Sequence, residues 1–334
     1  MILLSTFLAL CAVQIAQAES ECDPRPDYKG SVMLKEFQGH GTTRSCLMKH
    51  PNDQKPYVLR LGYIDESEYC AMKMAADNGI SPEIYFVSDD RLCTAMAYID
   101  GNTLSAQAAK SPHTIACLAN TIRQAHIATK NLCSACDGSL KTRQENFYAE
   151  LCGRLQSSKE CLSCLDKAMK LWTDSYEQLD LLSDTFVHIH GDLNMRNIFL
   201  IDNKAYLIDW AETRLADPMF DLSYLALCCD YDQHEELLLL NQYLNHEVNQ
   251  NELMRYRLTK KINSAHLCLT CLRIYSDLIS AGECGDAIAV SQKEPMCDFS
   301  EYIQRYAADS SSLEYQDFFY MAQMLIACAE SIAL

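Results

Sequence analysis

The chain has 334 residues, of which 49% are hydrophobic, with only 8 prolines and 11 glycines, so a collagen-like, low-complexity or mostly disordered chain is excluded. Its 28 Lys and Arg residues against 45 Asp and Glu residues give a formal net charge of −17, which repels phosphate backbones and anionic lipid. We therefore expect no nucleic-acid partner, and the negative field favours a small cationic substrate.

The first 18 residues predict a signal peptide. An apolar run from Ile2 to Ala12 precedes Ala16-Gln17-Ala18, and residues 1–18 carry no charged side chain. A short apolar stretch before a small-x-small site is typical of a cleavable export signal, although the usual positive charge before the stretch is missing, so an unprocessed N-terminus is the alternative. No later segment has 18 uninterrupted apolar residues, so we expect no transmembrane helix.

Residues 25–100 are predicted to form a small lobe rich in β-strands. A helix is expected over residues 65–78, because its periodicity stops at Asn78-Gly79, which is a typical helix end. The other apolar runs are separated by turns rich in Gly, Asn, Asp and Pro. These runs predict strands at residues 28–37, 45–48, 57–61, 83–87 and 93–98.

Residues 101–334 are predicted to form a larger, mainly helical lobe. Apolar residues recur with helical spacing in residues 114–129, 142–154, 160–181, 234–246, 251–281 and 313–333. Two short β-rich runs, residues 185–189 and 205–208, interrupt the helices. The predicted fold class is therefore α+β with two lobes, and a ligand site is expected in the cleft between them.

Three pairs among the 18 cysteines have CxxC spacing: Cys133/Cys136, Cys161/Cys164 and Cys268/Cys271. The first two pairs could hold zinc through four thiolates. Disulfides are the alternative in an exported chain. Because each pair lies in helix-like sequence, cysteines that simply share a buried helix face are equally compatible with the spacing.

One polar stretch between the two β-rich runs predicts phosphoryl transfer. Asp192 and Asn197 have the D-x4-N spacing that a kinase catalytic loop uses for its base and its metal-binding amide. Asp209 follows at the end of the next β-rich run, and amide and carboxylate oxygens suit Mg²⁺. His190 is interpreted as a brace for the loop. A D-x4-N pair alone is common, but the full set in this order is far less so.

The segments HGDLNMRNIFL and AYLIDWAETRLADPMFDLSYLA resemble the aminoglycoside phosphotransferase/choline kinase superfamily, and are most similar to its bacterial choline/ethanolamine kinase-like branch. The resemblance covers roughly residues 30–300 and is most specific at residues 188–226. It implies a protein-kinase-like fold with a nucleotide-binding first lobe and a catalytic second lobe. It also implies ATP and Mg²⁺ as cofactors, and transfer of phosphate to the hydroxyl of a small molecule.

The resemblance also implies nucleotide-binding residues in the first lobe. Arg60 matches the cation that holds the phosphates, with Glu68, or Glu66 as a substitute, as its partner. Met96, Ala97 and Tyr98 match the hinge whose backbone reads the adenine. The nucleotide-covering turn contains Gly39, Gly41 and Thr42.

For the acceptor, the resemblance points to side chains after the catalytic loop. Asp221 is expected to orient the loop or to contact substrate, and His126 to pack as a brace. Glu212 lies one position later than the acidic residue of choline kinases, because Ala211 occupies that place, and His190-Gly191-Asp192 replaces their usual His-Asn-Asp. Aromatic faces that could hold a quaternary ammonium, or merely form a core stripe, belong to Trp210, Tyr224, Tyr256 and Tyr275.

We therefore predict a small-molecule kinase, with an amino alcohol as first candidate acceptor and an aminoglycoside or another small hydroxyl compound as second. An exported pseudokinase that only binds ligand is the alternative, and a structural zinc protein is a third interpretation. The signal-like N-terminus favours export whereas ATP chemistry favours the cytoplasm, so the sequence leaves the location open. It makes no prediction of the oligomeric state.

Overall fold

The computed structural model describes residues 31–37, 43–52, 55–130, 132, 140–280, 302, 304–305, 313 and 315–334. The predicted signal peptide, the turn with Gly39, Gly41 and Thr42, and the Cys133/Cys136 pair lie outside these residues. The described part combines a small antiparallel sheet near the N-terminus with a larger helical part. The predicted α+β class is therefore confirmed.

The N-terminal sheet has five strands in the order β1-β2-β3-β5-β4, with antiparallel pairing throughout. Tyr57, Leu59 and Leu61 of the inner strand β3 are buried, so strand alternation turns Val58 and Arg60 toward the opposite face. That face borders a cleft. The strands are β1 (Val32–Phe37), β2 (Arg44–Lys49), β3 (Tyr57–Leu61), β4 (Ile84–Val87) and β5 (Cys93–Ala97).

Helix α1 (Glu66–Asp77) connects β3 to β4, as predicted. Its first turn is capped by Asp65, whose side chain accepts a hydrogen bond from the Glu68 backbone N–H at 2.8 Å. After its last turn, Gly79 adopts φ +67°, the left-handed conformation that commonly ends helices. These two ends fix the position of Glu68 under the sheet.

The helical part is built around the long helix α8, which packs against α5, α6 and α9. The interface is apolar and includes the fully buried Trp172. No helix in the described part is both long and apolar enough to cross a membrane. The helices are α2 (Ala106–Ala109), α3 (Pro112–Ala128), α4 (Leu140–Arg154), α5 (Lys159–Asp180), α6 (Met219–Cys228), α7 (Gln233–Leu244), α8 (Gln250–Ser280) and α9 (Tyr315–Ser331).

Two small antiparallel ribbons hold the polar stretch between them. Strand β6 (Val187–Ile189) pairs with β9 (Arg214–Ala216), and β7 (Ile198–Ile201) pairs with β8 (Lys204–Leu207). The loop that contains Asp192 runs from β6 to β7, and Asp209 follows β8. Anchoring both ends of each segment in a ribbon brings the two polar segments to the same place.

The structure adds elements that the sequence analysis did not predict, namely β7, β9, α2 and α6. Helix α6 was missed because Tyr224 is its only residue that is not buried, so it has no polar face and no amphipathic period. Strands of three or four residues such as β9 and β7 are too short to show alternation.

Hydrogen bonds at the base of the cleft join the sheet region, and the chain that directly follows it, to the ribbon of β7 and β8. Leu104 N–H donates to Ile198 O at 2.7 Å, and Leu207 N–H donates to Ile80 O at 2.8 Å. The Ser81 hydroxyl donates to Leu207 O at 2.7 Å and accepts from Trp210 Nε1 at 2.9 Å. The cleft therefore has a floor that is fixed to both parts.

Two of the CxxC pairs meet between α5 and α8. Sγ of Cys164 lies 3.6 Å from Sγ of Cys268, and both thiols are buried. None of the cysteines that the structure describes forms a disulfide. The same residues contain no group of three or more His, Cys, Asp or Glu side chains that could hold a metal ion. In the described chain these pairs therefore act as core side chains.

Candidate active site

A cleft of about 870 Å³ lies between the five-stranded sheet and the loops of the helical part. Strands β1 to β3 and the residues after β5 form one wall, and the loop after β6 and the residues after β8 form the other. Eight residues predicted from the sequence line it together: Arg60, Met96, Ala97, Tyr98, Asp192, Asn197, Asp209 and Trp210.

Asp192 is held in one orientation by three side-chain donors. Its Oδ1 accepts hydrogen bonds from Asn194 Nδ2 at 2.9 Å and from the Tyr224 hydroxyl at 2.8 Å, and its Oδ2 accepts from Asn197 Nδ2 at 2.8 Å. Burial raises the pKa of Asp192, the donors Asn194 and Tyr224 oppose that rise, and the charge of Asp209 adds to it. The result is an oriented carboxylate of increased basicity at the cleft wall.

Asn197 ends a 3₁₀ turn, Met195–Asn197, that Asn194 caps by accepting a hydrogen bond from Arg196 N–H at 2.9 Å. Its Nδ2 donates both to the backbone oxygen and to Oδ2 of Asp192, at 2.9 and 2.8 Å. Because the amide nitrogen is used in this way, the amide oxygen of Asn197 is left to act as a ligand.

Asp209 is exposed and adopts φ +66°, a left-handed conformation that is costly for a residue with a Cβ. No hydrogen bond or ion pair joins its carboxylate to another residue of the described chain. Its charge raises the pKa of Asp192 and also contributes to the raised pKa of Glu68. Asp209 is thus a free carboxylate close to two other acidic side chains, an arrangement that a cation would stabilise.

Arg60 forms an ion pair with Glu68, and both side chains are largely buried. Burial raises the pKa of Glu68 and the charge of Arg60 lowers it, with a net rise. Glu66, the substitute considered for this partnership, instead pairs with Arg91 on the surface. Strand β3 is an inner strand, so the pair is built into the wall of the cleft.

A buried network braces the loop that carries Asp192. Asp221 accepts from the backbone N–H groups of His190 and Gly191 at 2.7 and 2.8 Å, and its Oδ2 lies 2.9 Å from Nε2 of His126. Nδ1 of His126 lies 2.8 Å from the Tyr243 hydroxyl. Burial alone would raise the pKa of Asp221, but the His126 hydrogen bond and charge outweigh it and hold the pKa below its usual value.

His190 packs beneath the loop and faces away from the cleft. Its Nε2 lies 3.0 Å from Ile208 O, and its ring lies 4.6 Å from the Trp210 ring. Between it and Asp192, Gly191 has φ +86°, and a Cβ there would lie 2.3 Å from the Glu212 carbonyl oxygen. Only glycine fits this position, which accounts for the departure from His-Asn-Asp.

The predicted acceptor residues do not come together as an aromatic cage. Trp210, Tyr256 and Tyr275 are only 1%, 1% and 3% exposed. Tyr275 packs 5.7 Å from the ring of Phe319 in the core between helices, because it lies on the buried face of α8. Tyr256 is also in the core, so for both residues the core-stripe alternative is the one that the structure shows.

Glu212 and Asp221 are likewise placed away from the cleft. Glu212 is exposed and forms an ion pair with Arg143 at 3.0 Å, whereas Asp221 is buried behind the loop. Of the proposed acceptor side chains, Tyr224 is the one that contacts Asp192. The structure therefore gives Asp221 the orienting position of its two predicted alternatives.

Sequence reasoning missed several cleft residues. Asn194 both caps the turn and donates to Asp192, and its position two residues after Asp192 in a polar loop is a signal that could have identified it. Lys35, Ser45 and Arg196 also line the cleft. Lys35 lies on a strand whose residues are mostly exposed, so its pattern carries no functional signal.

Comparison with known proteins gives one family match. The family model described as the phosphotransferase enzyme family (APH) matches residues 39–252. A curated relative, a LicA homolog from Metamycoplasma hominis, is 26% identical over 117 residues, which are 34% of this chain and 46% of the relative. The match thus spans less than half the length of that relative.

Solved structures share the fold. A choline/ethanolamine kinase family protein from Mesorhizobium loti has a TM-score of 0.61 and 16% identity, covering 94% of this chain and 99% of the other. LicA in complex with AMP has a TM-score of 0.57 and 16% identity, covering 91% and 97%. The fold is therefore the protein-kinase-like one that the sequence resemblance implies, and the chain belongs to the phosphotransferase enzyme family.

Proposed function

We propose that the protein transfers the γ-phosphate of ATP, with Mg²⁺, to the hydroxyl of a small molecule. The observation that carries this proposal is the convergence of Asp192, Asn197 and Asp209 on the cleft that Arg60 also lines. An oriented carboxylate, two oxygen ligands and a fixed cation are the parts that phosphoryl transfer requires. Membership of a phosphotransferase family supports the same chemistry.

The nucleotide is expected to lie between the sheet and the loop after β6. Arg60 is the cation for its phosphates, since Glu68 holds the guanidinium in place on an inner strand. Met96, Ala97 and Tyr98 line the cleft beside it, where their backbone could read the adenine. The AMP complex of the similarly folded LicA supports a nucleotide in this fold.

The donor set fits Mg²⁺. Asn197 offers an amide oxygen and Asp209 a carboxylate that has no partner among the described residues, and Mg²⁺ prefers such hard oxygen ligands. Bound there, the ion would neutralise charge on the phosphates during transfer.

Asp192 is the expected base. Its raised pKa and its three hydrogen-bond donors hold one carboxylate ready to orient the acceptor hydroxyl and to take its proton as the oxygen attacks phosphorus. His190 and Asp221 do not act on substrate; they are positioning residues that keep the loop in place.

The catalytic residues do not determine the charge of the acceptor. The names of the similar proteins favour an amino alcohol such as choline or ethanolamine. The aromatic side chains predicted to hold an ammonium group are mostly buried in the core, however. The assignment of a hydroxyl acceptor therefore rests on Asp192, Asn197 and Asp209, and not on these aromatic side chains.

Release of ADP in the presence of ATP, Mg²⁺ and a panel of choline, ethanolamine and aminoglycosides tests the proposal. Asp192→Asn and Asp209→Asn should each abolish transfer while the circular dichroism spectrum and Tm stay near wild type. Asp174→Asn, which alters an exposed carboxylate on α5, is the matched control and should stay active. Undiminished transfer in both active-site variants would refute the assignment, and failure of Mg-ATP to raise the Tm would favour a pseudokinase instead.

A further inference from the structure

A group of basic side chains lies beside the catalytic loop in this otherwise acidic protein. We call Arg143, Arg214, His266 and Arg273 the basic cluster. Arg143 is on α4, Arg214 is on β9, and the other two are seven residues apart on α8, which places them on one face of that helix. With 28 Lys and Arg residues against 45 Asp and Glu residues in the chain, such a local excess of positive charge is unexpected.

Contacts tie the members of the basic cluster together. Glu212 accepts from Arg143 through its side chain at 3.0 Å and from Arg214 through its backbone oxygen at 2.8 Å. Nδ1 of His266 lies 3.0 Å from Oε1 of Gln144, the residue next to Arg143. The cluster is thus continuous from β9 through α4 to α8.

Phe147 contacts both His266 and Arg273. Its ring lies 5.9 Å from the ring of His266 and 5.7 Å from the Arg273 guanidinium. An aromatic ring in contact with a guanidinium and an imidazole helps to hold both in place and does not neutralise the guanidinium. The Arg273 guanidinium therefore keeps its positive charge in a defined position.

The positive charges are only partly compensated. The Glu212 carboxylate lies 3.0 Å from Arg143 and 4.0 Å from Arg214, so a single negative charge is shared between two guanidinium groups. Burial lowers the pKa of His266 to about 4, and the charges of Arg214, Arg143 and Arg273 contribute to that decrease. All three arginines therefore act on the same imidazole, which shows that their fields overlap.

Two buried donors of this region have no acceptor among the described residues. Nε of Arg214 and Nε2 of Gln144 are inaccessible to water and make no hydrogen bond there. A buried donor without an acceptor costs free energy, and an acceptor oxygen that a ligand brought to these nitrogens through a shift of the surrounding side chains would offset that cost. The Arg143 side chain is 49% exposed, so the region remains open to solvent.

The basic cluster adjoins the base and not the nucleotide cleft. A Cβ on Gly191, the neighbour of Asp192, would lie 2.6 Å from Nη1 of Arg214. Tyr224 interacts electrostatically with Arg214 and donates its hydroxyl to Asp192. None of the four cluster residues is among those that line the 870 Å³ cleft, so ATP phosphates in the cleft do not account for the cluster.

We propose that the acceptor of this phosphotransferase carries an anionic group, a carboxylate or a phosphate, which Arg214 and Arg143 bind while its hydroxyl faces Asp192. The planar guanidinium donates two parallel hydrogen bonds to such oxygens, which gives both affinity and orientation. The inference rests on the proposed function for its catalytic step. It replaces a purely cationic acceptor with one whose negative group is held beside the catalytic loop.

Four small hydroxyl compounds separate the possibilities: glycerate, glycerol 3-phosphate, neutral glycerol and cationic choline. Thermal stabilisation at millimolar concentration is measured with each, and ADP release is measured in parallel. We expect glycerate or glycerol 3-phosphate to raise the Tm and glycerol and choline not to do so; which of the two acts identifies a carboxylate or a phosphate. Stabilisation by choline or glycerol alone, or by none of the four, would overturn the proposal.

Variants of the basic cluster show where the anion binds. Arg143→Gln and Arg214→Gln should each raise the Kd of the anionic compound by about tenfold or more, because a hydrogen bond to a charged group is lost. Arg154→Gln, on the same helix and paired with Glu150 and Asp277, is the matched control. An unchanged Kd in Arg143→Gln would overturn the proposal even if Arg214→Gln failed to fold. Because binding is measured without turnover, failure here leaves the kinase assignment intact, and transfer to choline alone would refute only the anionic acceptor.

Discussion

The hydroxyl of Tyr224 donates a hydrogen bond to Oδ1 of Asp192 at 2.8 Å, from a helix whose other residues are all buried. Tyr224 thus connects the packed interior of the helical part to Asp192, the proposed base, at the cleft. The hydrogen bond opposes the effect of burial, which raises the pKa of Asp192. The tyrosine therefore contributes to the orientation of this carboxylate and favours its ionised form.

Tyr224→Phe should shift the pH dependence of the reaction. Asp192 must be ionised to act as a base, so activity is lost as the pH falls through its pKa. Removal of a donor to the ionised form raises that pKa, and the acidic limb of kcat/KM against pH should move to higher pH. We also expect kcat at neutral pH to decrease about tenfold, since an orienting hydrogen bond to a charged group is lost.

Tyr206→Phe, at a half-buried tyrosine on β8, is the control for that measurement and should leave the acidic limb in place. A Tyr224→Phe enzyme whose limb coincides with that of the wild type would show that the hydroxyl does not set the protonation of Asp192.

Gly191→Ala should damage the loop through steric crowding, without removing a charged side chain. At φ +86° a Cβ would lie 2.3 Å from Glu212 O, so the backbone must move. We expect a loss of about 1–3 kcal/mol in the free energy of unfolding and a decreased kcat. Gly153→Ala, where nothing lies within 4 Å of the new Cβ in helix α4, should instead stabilise by about 0.5–1 kcal/mol. Urea unfolding and initial rates measure both effects, and equal outcomes for the two substitutions would contradict the structure.

Asp221→Ala should destabilise the protein strongly. The change leaves the N–H groups of His190 and Gly191 and the His126 ring without their buried acceptor. Removal of one partner from such a buried network costs about 3–5 kcal/mol, which chemical denaturation at pH 7 can measure. A loss below 1 kcal/mol would show that the network does not brace the loop.

The same residue predicts a pH dependence of stability. The pKa of Asp221 is lower in the folded protein than its usual value of 3.8, so its contribution is fully present above that pH and is lost as the pH falls through the lower folded pKa. Asp221→Asn lacks this ionisation. The difference in unfolding free energy between wild type and Asp221→Asn should therefore shrink below pH 3.8, and a constant difference would contradict the assignment.

Arg60→Gln should weaken nucleotide binding. The substitution removes the charge for the phosphates and leaves Glu68 buried without its partner, so the KM for ATP is expected to rise about tenfold to a hundredfold. Arg91→Gln breaks the exposed pair with Glu66 at the start of the same helix and serves as the control. Its KM should stay within about twofold of wild type, because surface ion pairs contribute little. Similar KM values for the two variants would contradict a role of Arg60 at the phosphates.

Much of the fold could be predicted because periodicity is local. The inner strand β3 and the helices α1, α3 and α8 show alternation or helical spacing that needs no knowledge of the rest of the chain. Helix α6 could not be found in this way, because it is surrounded by other elements and has no solvent face. Elements whose residue pattern is set by tertiary packing are invisible to a local period.

The residues of the candidate site differ in the same way, because local motifs predict some of them and not others. Asp192, Asn197 and Asp209 were identified because they lie in short, spaced motifs, and the structure brings all three to one cleft. The acceptor residues could not be identified from the sequence, because an aromatic residue such as Tyr275 has the same helical spacing whether it faces a ligand or the core. The basic cluster was also missed, because β9, α4 and α8 are far apart in sequence and only folding brings Arg143, Arg214 and Arg273 near His266.

The hydrogen bonds from Leu104 to Ile198 and from Leu207 to Ile80 have a consequence for turnover. The bond from Leu207 to Ile80 joins the sheet region to the ribbon of β7 and β8, so a rigid movement of the sheet away from the helical part would break main-chain pairing there. Nucleotide exchange that keeps this bond intact therefore requires smaller movements of other segments that line the cleft, such as β1 and β2.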